Sequence, residues 1–473
     1  MLARPISLCL VAAATFLMAG LSGCDSDLQT PTDPPSTTPV EPVTPSPSNP
    51  GNVASNDTFS IQLTSGSIAM VEGAGAVSVG LIAERLVPQE RPITLFAQGV
   101  SSSDEQNMTW QLSDASLSED ESSANLTLRL LIGQRPIGTQ NRTFRITATD
   151  GVNQALALEL SIQIQPTNRP DVYLLVGQSN MVGFSENGAK QATAGGADAP
   201  VERIKQLNVT GNDGENFAVA ADFTNPANIH NEGLPLTVAV DPLHDGFDTR
   251  IDGKAGELIG PALSFAKRAL VDTSVDIILV PAAWSDTGFC KRDTNRVEGI
   301  GWNATPKSNN ALSGTLLHDR AIARTNIALE ETGGILRGIL WHQGEADSDD
   351  QACAESYADN LTELVVSLRS NIDQDARGAV ARGPGSDVPF IAATMSMGND
   401  ARGDQSPFNE RKQLVDNAHR DIGNVVPLTG FVNNDDLVPT AFPCGEGSCV
   451  HFGSAAYREM GNRYYEQLVS LLN

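Results

Sequence analysis

Ser179 stands two residues after Gly177 in the run Gly177-Gln-Ser-Asn-Met181, directly behind five apolar or β-prone residues, Val172 to Val176. Such a run predicts a short strand buried on both faces, as in a parallel sheet. The glycine permits a sharp turn at its end. The hydroxyl of Ser179 is then expected at the carboxyl edge of a sheet, where open α/β folds place their ligands. A serine there is positioned as a nucleophile, provided a base takes its proton and donors hold the oxyanion. The plainer alternative is a serine that caps the following helix. The chain has six histidines, at 230, 244, 318, 342, 419 and 451. Two stand out by position. His342 follows the apolar stretch Ile335 to Trp341, and His451 lies in a loop just before the last helical stripe. In an extended strand His342 and Gln343 face opposite ways, so one of them, not both, readily faces Ser179.

From Arg169 onward strand-like and helix-like segments alternate, which predicts a parallel sheet flanked by helices. Val275 to Val280, Ile335 to Trp341 and Pro389 to Thr394 read as strands. Gly260-Pro-Ala-Leu-Ser-Phe-Ala enters a helix with proline in its first turn. Leu316 to Glu331 reads as a helix stopped by Gly333-Gly334. Tyr357, Leu361, Leu364, Val365 and Leu368 form a core-facing helical stripe, as do Tyr457, Met460, Tyr464, Leu468 and Leu471, with Ser454 as a cap. Asp404 to Arg420 reads as helical. The stretch from Phe184 to Glu257 reads as a loop-rich insertion. Its Asp241, Asp245, Asp248 and Asp252 do not have EF-hand spacing, and a solvated loop is expected.

Gly-Gln-Ser-Asn-Met resembles block one of the SGNH hydrolases, in the variant of the sialate O-acetylesterases and family six carbohydrate esterases. Met181 stands where the α/β-hydrolase elbow has its second glycine. Trp341-His-Gln-Gly-Glu-Ala-Asp347 resembles block three of the same esterases, and the Gly260-Pro run resembles their block two. The resemblance covers about 300 residues, from 169 to 473. It implies an α/β SGNH fold: a flavodoxin-like, three-layer parallel sheet with helices on both faces. It implies a serine esterase that removes O-acetyl groups from carbohydrate, with neither cofactor nor metal. Ser179 would be the nucleophile and His451 the base. The N–H groups of Ser179 and Gly260 and the Gln343 amide would form the oxyanion hole. Glu345 is the acid the resemblance suggests for orienting His451; Asp347, Asp435, Asp436, Glu446 or a backbone carbonyl are the alternatives. Gln178, Asn180, Trp284 and His342 are candidate substrate contacts, and Trp302 another aromatic wall. The chain departs from the pattern in two places. Ser448, not aspartate, lies three residues before His451, and Ser285-Asp286-Thr287 stands where relatives have Gly-Gly-Thr. A lipase or thioesterase of the same fold, or a glycan-binding lipoprotein without turnover, are the rival readings.

At 473 residues the chain has room for two or three domains. Its formal net charge of −26 argues against nucleic acid and anionic lipid surfaces as partners. Residues 1–24 read as a lipoprotein signal peptide, with Arg4, an apolar run from Ile6 to Met18, and Leu21-Ser-Gly-Cys24 resembling a lipobox. That resemblance makes Cys24 the acylated first residue and a membrane anchor, on the periplasmic or cell-surface side of a bacterial membrane. A cleaved secretory peptide is the alternative. Residues 25–57 read as a Pro/Thr/Ser-rich tether. In an exported chain the remaining cysteines suggest two disulfides, Cys444 with Cys449 and hence Cys290 with Cys353; free buried thiols are the alternative. Residues 58–166 read as all-β. Phe59 to Leu63, Leu126 to Leu130, Phe144 to Ala148 and Leu156 to Ile164 alternate with period two, and Asp150-Gly151 turns between the last two. An immunoglobulin- or cadherin-like sandwich is expected there, as spacer or as carbohydrate-binding unit. Oligomeric state is not legible.

Overall fold

The structure is a computed structural model. It describes residues 53–71, 76–88, 90–105, 107–130, 139–183, 196–207, 236–244, 258–290, 300–306, 314–372, 388–397, 408–437 and 450–472. The expected lipobox with Cys24, most of the tether, Glu446, the Cys444–Cys449 pair, and Asp245, Asp248 and Asp252 lie outside the described residues. Among the described residues no helix is long and apolar enough to cross a membrane.

The β-rich region contains β1 (Val53–Ser55), β2 (Phe59–Leu63), β3 (Ser67–Val71), β4 (Ala76–Arg85) and β5 (Ile93–Gly99). It continues with β6 (Met108–Leu112), β7 (Ser116–Leu117), β8 (Ser123–Leu130), β9 (Gln140–Thr149) and β10 (Leu156–Gln165). They form two five-stranded sheets, ordered β1-β2-β4-β8-β6 and β3-β10-β9-β5-β7. Along β10 every second residue is buried and its neighbours are exposed, the alternation of a sheet with one face on a core and one in water. Phe59, Leu81, Leu126, Phe144 and Leu160 belong to one shared apolar core. The tether is shorter than its composition implied. Val53–Ser55 pairs antiparallel with β2, because Asn56 Oδ1 accepts the backbone N–H groups of Thr58 and Phe59 and turns the chain back on itself.

The α/β region is built on β11 (Asp171–Gly177), β12 (Ile204–Leu207), β13 (Leu236–Val238), β14 (Ile277–Pro281), β15 (Ile335–His342), β16 (Phe390–Ala393) and β17 (Thr429–Val432). They form one seven-stranded sheet, ordered β13-β12-β14-β11-β15-β16-β17. All pairings are parallel except β12 with β13. The insertion after Ser179 therefore does more than loop through solvent: it adds two short strands to the sheet edge beyond β14. Leaving these out, the order β14-β11-β15-β16-β17 is the doubly wound order in which the chain reverses direction at the first strand. Every residue of β11 and β15 is buried, which explains why they read as apolar runs rather than alternating ones.

The reversal also distributes the helices. Crossovers of one hand that step in opposite directions along a sheet lie on opposite faces. Helix Ala262–Leu270 precedes β14 and packs with the terminal helix Ser454–Leu472. Helix Leu316–Thr332 leads from β14 to β15 and packs with Gln351–Asn371, which packs in turn with Glu410–Val425. Gly333 ends the first of these in the left-handed conformation, φ 60°, as expected of a helix stop.

Candidate active site

Ser179 is presented by backbone geometry. Gly177 has φ +126°, and a Cβ on it would run into the carbonyl of His342 on the neighbouring strand. Only glycine allows β11 and β15 to approach so closely here. Gln178 N–H donates to that His342 carbonyl at 2.8 Å, and Ser179 begins a four-residue helical turn closed by Gly183. The 2.8 Å hydrogen bond between Ser179 Oγ and His451 Nε2 spans 272 residues. The hydroxyl donates to that nitrogen in the tautomer a general base requires. Two residues singled out from the sequence by position are thus joined at the carboxyl ends of the central strands.

Other expected site residues are placed differently. Gln343 Nε2 lies within reach of three buried acceptors: Asp347 Oδ2 at 2.7 Å, Thr287 O at 3.0 Å and Gln178 Oε1 at 3.2 Å. An amide nitrogen has two hydrogens, so these partners consume them and none is left for an oxyanion. The N–H of Gly260 points to the carboxylate of Asp241 at 3.4 Å, so it too is engaged. Glu345 makes no hydrogen bond to His451. Its Oε1 accepts from Asn180 Nδ2 at 2.6 Å, and its Oε2 is buried without a hydrogen-bond partner. Of the other acids considered, Asp435 and Asp436 bind Arg420 and Arg463.

The four expected substrate contacts are buried in packing rather than aligned along a cleft. Gln178 Oε1 accepts from Gln343 and from the N–H of Ala346. Asn180 and His342 are fully buried, and Trp284 is 5% exposed with the Arg320 guanidinium 5.8 Å from its ring centre. Trp302 is also fully buried and stacks edge-on against Trp341. A sugar needs an accessible aromatic face, and these rings do not offer one.

Asp347 has a role the sequence did not announce. Its two oxygens accept from the N–H groups of Phe289 and Cys290 and from Gln343 Nε2. These three donors tie the loop after β14 to the loop after β15 through one buried carboxyl group. Gly288 is needed here, because a Cβ would collide with the Asp347 carboxylate. The Cys290–Cys353 disulfide, expected from the sequence, closes the same junction. Those two sulfurs and Asp347 are close enough to suggest a metal cluster, but a disulfide has no thiolate to give a metal.

Burial sets the protonation of the remaining groups. Glu345 is raised to about 7, chiefly by desolvation and against the single side-chain hydrogen bond from Asn180. His342 is lowered to about 3 by burial and by the neighbouring His419 and His451. Its Nδ1 lies 3.9 Å from Glu345 Oε1; with a neutral imidazole this contact is not an ion pair. Asn180 and Tyr457 were the least legible participants. Tyr457 read as one more apolar position of the terminal helix, yet its hydroxyl donates to Asn180 Oδ1 at 2.7 Å.

A family described as "Carbohydrate esterase, sialic acid-specific acetylesterase" matches residues 169–470. The probable carbohydrate esterase At4g34215 of Arabidopsis thaliana is 32% identical over 138 residues, 28% of this chain and 44% of that protein. The match thus spans less than half the length of that curated relative. Its solved structure covers 64% of this chain and 98% of its own, at 21% identity and a TM-score of 0.43. The structure of NanS covers 64% of this chain and 96% of its own, at 17% identity and a TM-score of 0.42.

Proposed function

The chain belongs to the carbohydrate esterase family of sialic acid-specific acetylesterases, and on that premise we propose that it hydrolyses O-acetyl esters of carbohydrate through an acetyl-serine intermediate. The observation that carries the reading is the 2.8 Å contact of Ser179 Oγ with His451 Nε2 at the switch point of the sheet. Ser179 attacks the acetyl carbonyl while His451 takes its proton. His451 then returns the proton to the departing sugar oxygen, leaving the acetyl group on Ser179. Water, deprotonated by the same imidazole, releases acetate and restores the serine.

The oxyanion donors in this reading are the N–H of Ser179 and the loop Trp284–Thr287, in place of Gly260 and Gln343. Two features support that loop. Trp284 N–H donates to Gly177 O at 3.0 Å, which lays the loop beside the nucleophile. Asp286 holds φ 60°, a left-handed conformation uncommon outside glycine and often found at functional turns. The substrate is an acetylated sugar, either sialic acid or an acetylated polysaccharide. The β-rich region serves as an immunoglobulin- or cadherin-type spacer, and Cys24 anchors the chain to a membrane; a Cys24→Ala chain recovered in the soluble fraction would bear this out.

The test is acetate release from p-nitrophenyl acetate, O-acetylated sialic acid and acetylated xylan by the parent and by Ser179→Ala. Serine-dependent release from at least one acetylated sugar is the expected result. Turnover that survives in Ser179→Ala would sink the mechanism. Turnover confined to long-chain acyl esters would replace the substrate class.

A further inference from the structure

Asn180 is fully buried and joins three separate parts of the chain. Its Nδ2 donates to Glu345 Oε1 at 2.6 Å, in the loop after β15, and to Val450 O at 2.9 Å, in the loop before the terminal helix. Its Oδ1 accepts from Tyr457 O–H at 2.7 Å, in the first turn of that helix. Both amide hydrogens face acceptors and the oxygen faces a hydroxyl, so the orientation of the amide is set by its partners. Asn180 and its partner Val450 each adjoin a residue of the Ser179–His451 pair. Asn180 follows Ser179, and Val450 precedes His451. The amide therefore bridges, one residue outward on each side, the same gap that the Ser179–His451 hydrogen bond closes.

Glu345 enters this arrangement only through Asn180. It makes no hydrogen bond to His451, but a carboxylate accepting an amide N–H at 2.6 Å is a short, charge-assisted contact. Burial raises Glu345 to about 7, so near neutral pH it exists in both forms, and either form keeps an oxygen able to accept from Asn180.

We propose that Asn180 and Glu345 are positioning residues for the catalytic pair: Glu345 fixes the Asn180 amide, and Asn180 holds the Val450 carbonyl and with it the imidazole of His451. Glu345 thus supports His451 at one remove instead of orienting its ring directly, and the block-three glutamate does its work as a hydrogen-bond acceptor more than as a charge. This rests on the serine-esterase reading above. It goes further in naming what spaces the base from the nucleophile.

The experiment uses the full chain and two readouts. One is kcat and KM on p-nitrophenyl acetate. The other is the rate at which diisopropyl fluorophosphate labels Ser179, followed by mass spectrometry; there the serine oxygen bonds phosphorus, fluoride leaves, and His451 takes the proton. Glu345→Gln keeps an acceptor for Asn180 and should stay within about threefold of the parent in kcat. Glu345→Ala should lose roughly ten- to a hundredfold in kcat, with KM little changed, as for a misplaced catalytic group. Asn180→Ala should lose at least as much, and adding Glu345→Ala to it should cost no more, since the second residue acts through the first. Tyr457→Phe, a mild change that keeps the ring, should fall between parent and Asn180→Ala.

The proposal is overturned if Glu345→Gln is as crippled as Glu345→Ala and the double variant multiplies the two losses; Glu345 would then act on the reaction independently. If the parent hydrolyses no ester yet is labelled at Ser179, the esterase reading fails alone and the labelling rates of the same variants decide the positioning. If the parent is not labelled either, the pair is unreactive and both ideas fall.

Discussion

The β-rich region and the α/β region fill their interiors on different terms. Among the described residues from 53 to 165, Asp150 is the one buried polar side chain. Its carboxylate is saturated, accepting from the backbone of Val152 and Asn153 and from the side chains of Asn153 and Thr58. These bonds, that from the Asn153 backbone foremost, hold it down to about 2. The α/β region buries Gln178, Asn180, His342, Gln343, Asp347 and His419 around one serine. Some of these are saturated, like Asp347. Others are left short, like Glu345 Oε2 and both ring nitrogens of His342. A buried carboxyl with many donors stays ionised, and one with few is pushed toward its neutral form. The contrast lies in how buried carboxyls are treated: among the described residues the β-rich region buries one and saturates it, while the α/β region leaves an oxygen of Glu345 and one of Asp416 unbonded, and Glu345 follows the strand directly beside the one that ends just before Ser179.

The largest effect expected from that contrast is catalytic. His451→Ala should lower kcat by roughly a thousandfold or more while leaving the melting temperature near that of the parent, because a lost general base is a loss of chemistry. Calorimetry beside the ester assay checks both halves. Leu160→Ala probes the other region. It removes a fully buried side chain from the sheet core and should cost about 2–5 kcal/mol of stability, with kcat on p-nitrophenyl acetate unchanged; a large fall in kcat would show the two regions to be coupled. Asp347→Ala should combine the effects. It strips the N–H groups of Phe289 and Cys290 of this acceptor and Gln343 of one of its three, so a loss of roughly 2–4 kcal/mol is expected, together with reduced activity as the loops after β14 and β15 separate.

The smallest effect is in the pH dependence. Glu345 is held at about 7 in the folded chain against an ordinary 4.5. The folded state keeps the proton that the unfolded state gives up, so this contribution to stability is complete below about 4.5 and is lost as pH rises through about 7. His342 and His419, both lowered to about 3, act in the opposite sense: their contribution is present above 6.5 and lost as pH falls toward 3. Asp241, also raised to about 7, adds to the alkaline loss. The hydrogen bond from Asn180 and the Lys412 ammonium temper the effect, while the Asp347 carboxylate adds to it. Melting curves at pH 5 and pH 8 should show Glu345→Gln losing less stability than the parent on going to the higher pH. Equal losses would mean that Glu345 is ionised across the whole range.

Much of this could be read along the chain. The strands β11 and β15, the helix stop at Gly333 and the stripe of the terminal helix depend on neighbours a few residues apart, and all appear where the periodicity predicts them. The short strands β12 and β13 were hidden in a polar insertion because β12 pairs with β14, about 70 residues further on, and β13 pairs with β12. Val53–Ser55 was hidden likewise, since only its hairpin with β2 makes it a strand.

Ser179 and His451 were legible because each is announced by its own surroundings, a glycine turn after an apolar run and a loop before a helix. The partners of Gln343, Glu345 and Gly260 were not: Gln343 meets Asp347, Glu345 meets Asn180 and the N–H of Gly260 faces Asp241. A side chain at a strand end has several polar neighbours within reach, and which of them it meets depends on segments that arrive from far away: 165 residues separate Asn180 from Glu345, and 270 separate it from Val450. Local composition and spacing settle which elements form and which residue type ends each one, because backbone sterics and hydrophobic period act over a few residues. Whether a buried carboxylate becomes a saturated anchor, like Asp347, or a half-bonded lever, like Glu345, is settled only when the sheet closes, because desolvation and hydrogen-bond geometry exist only in the packed state.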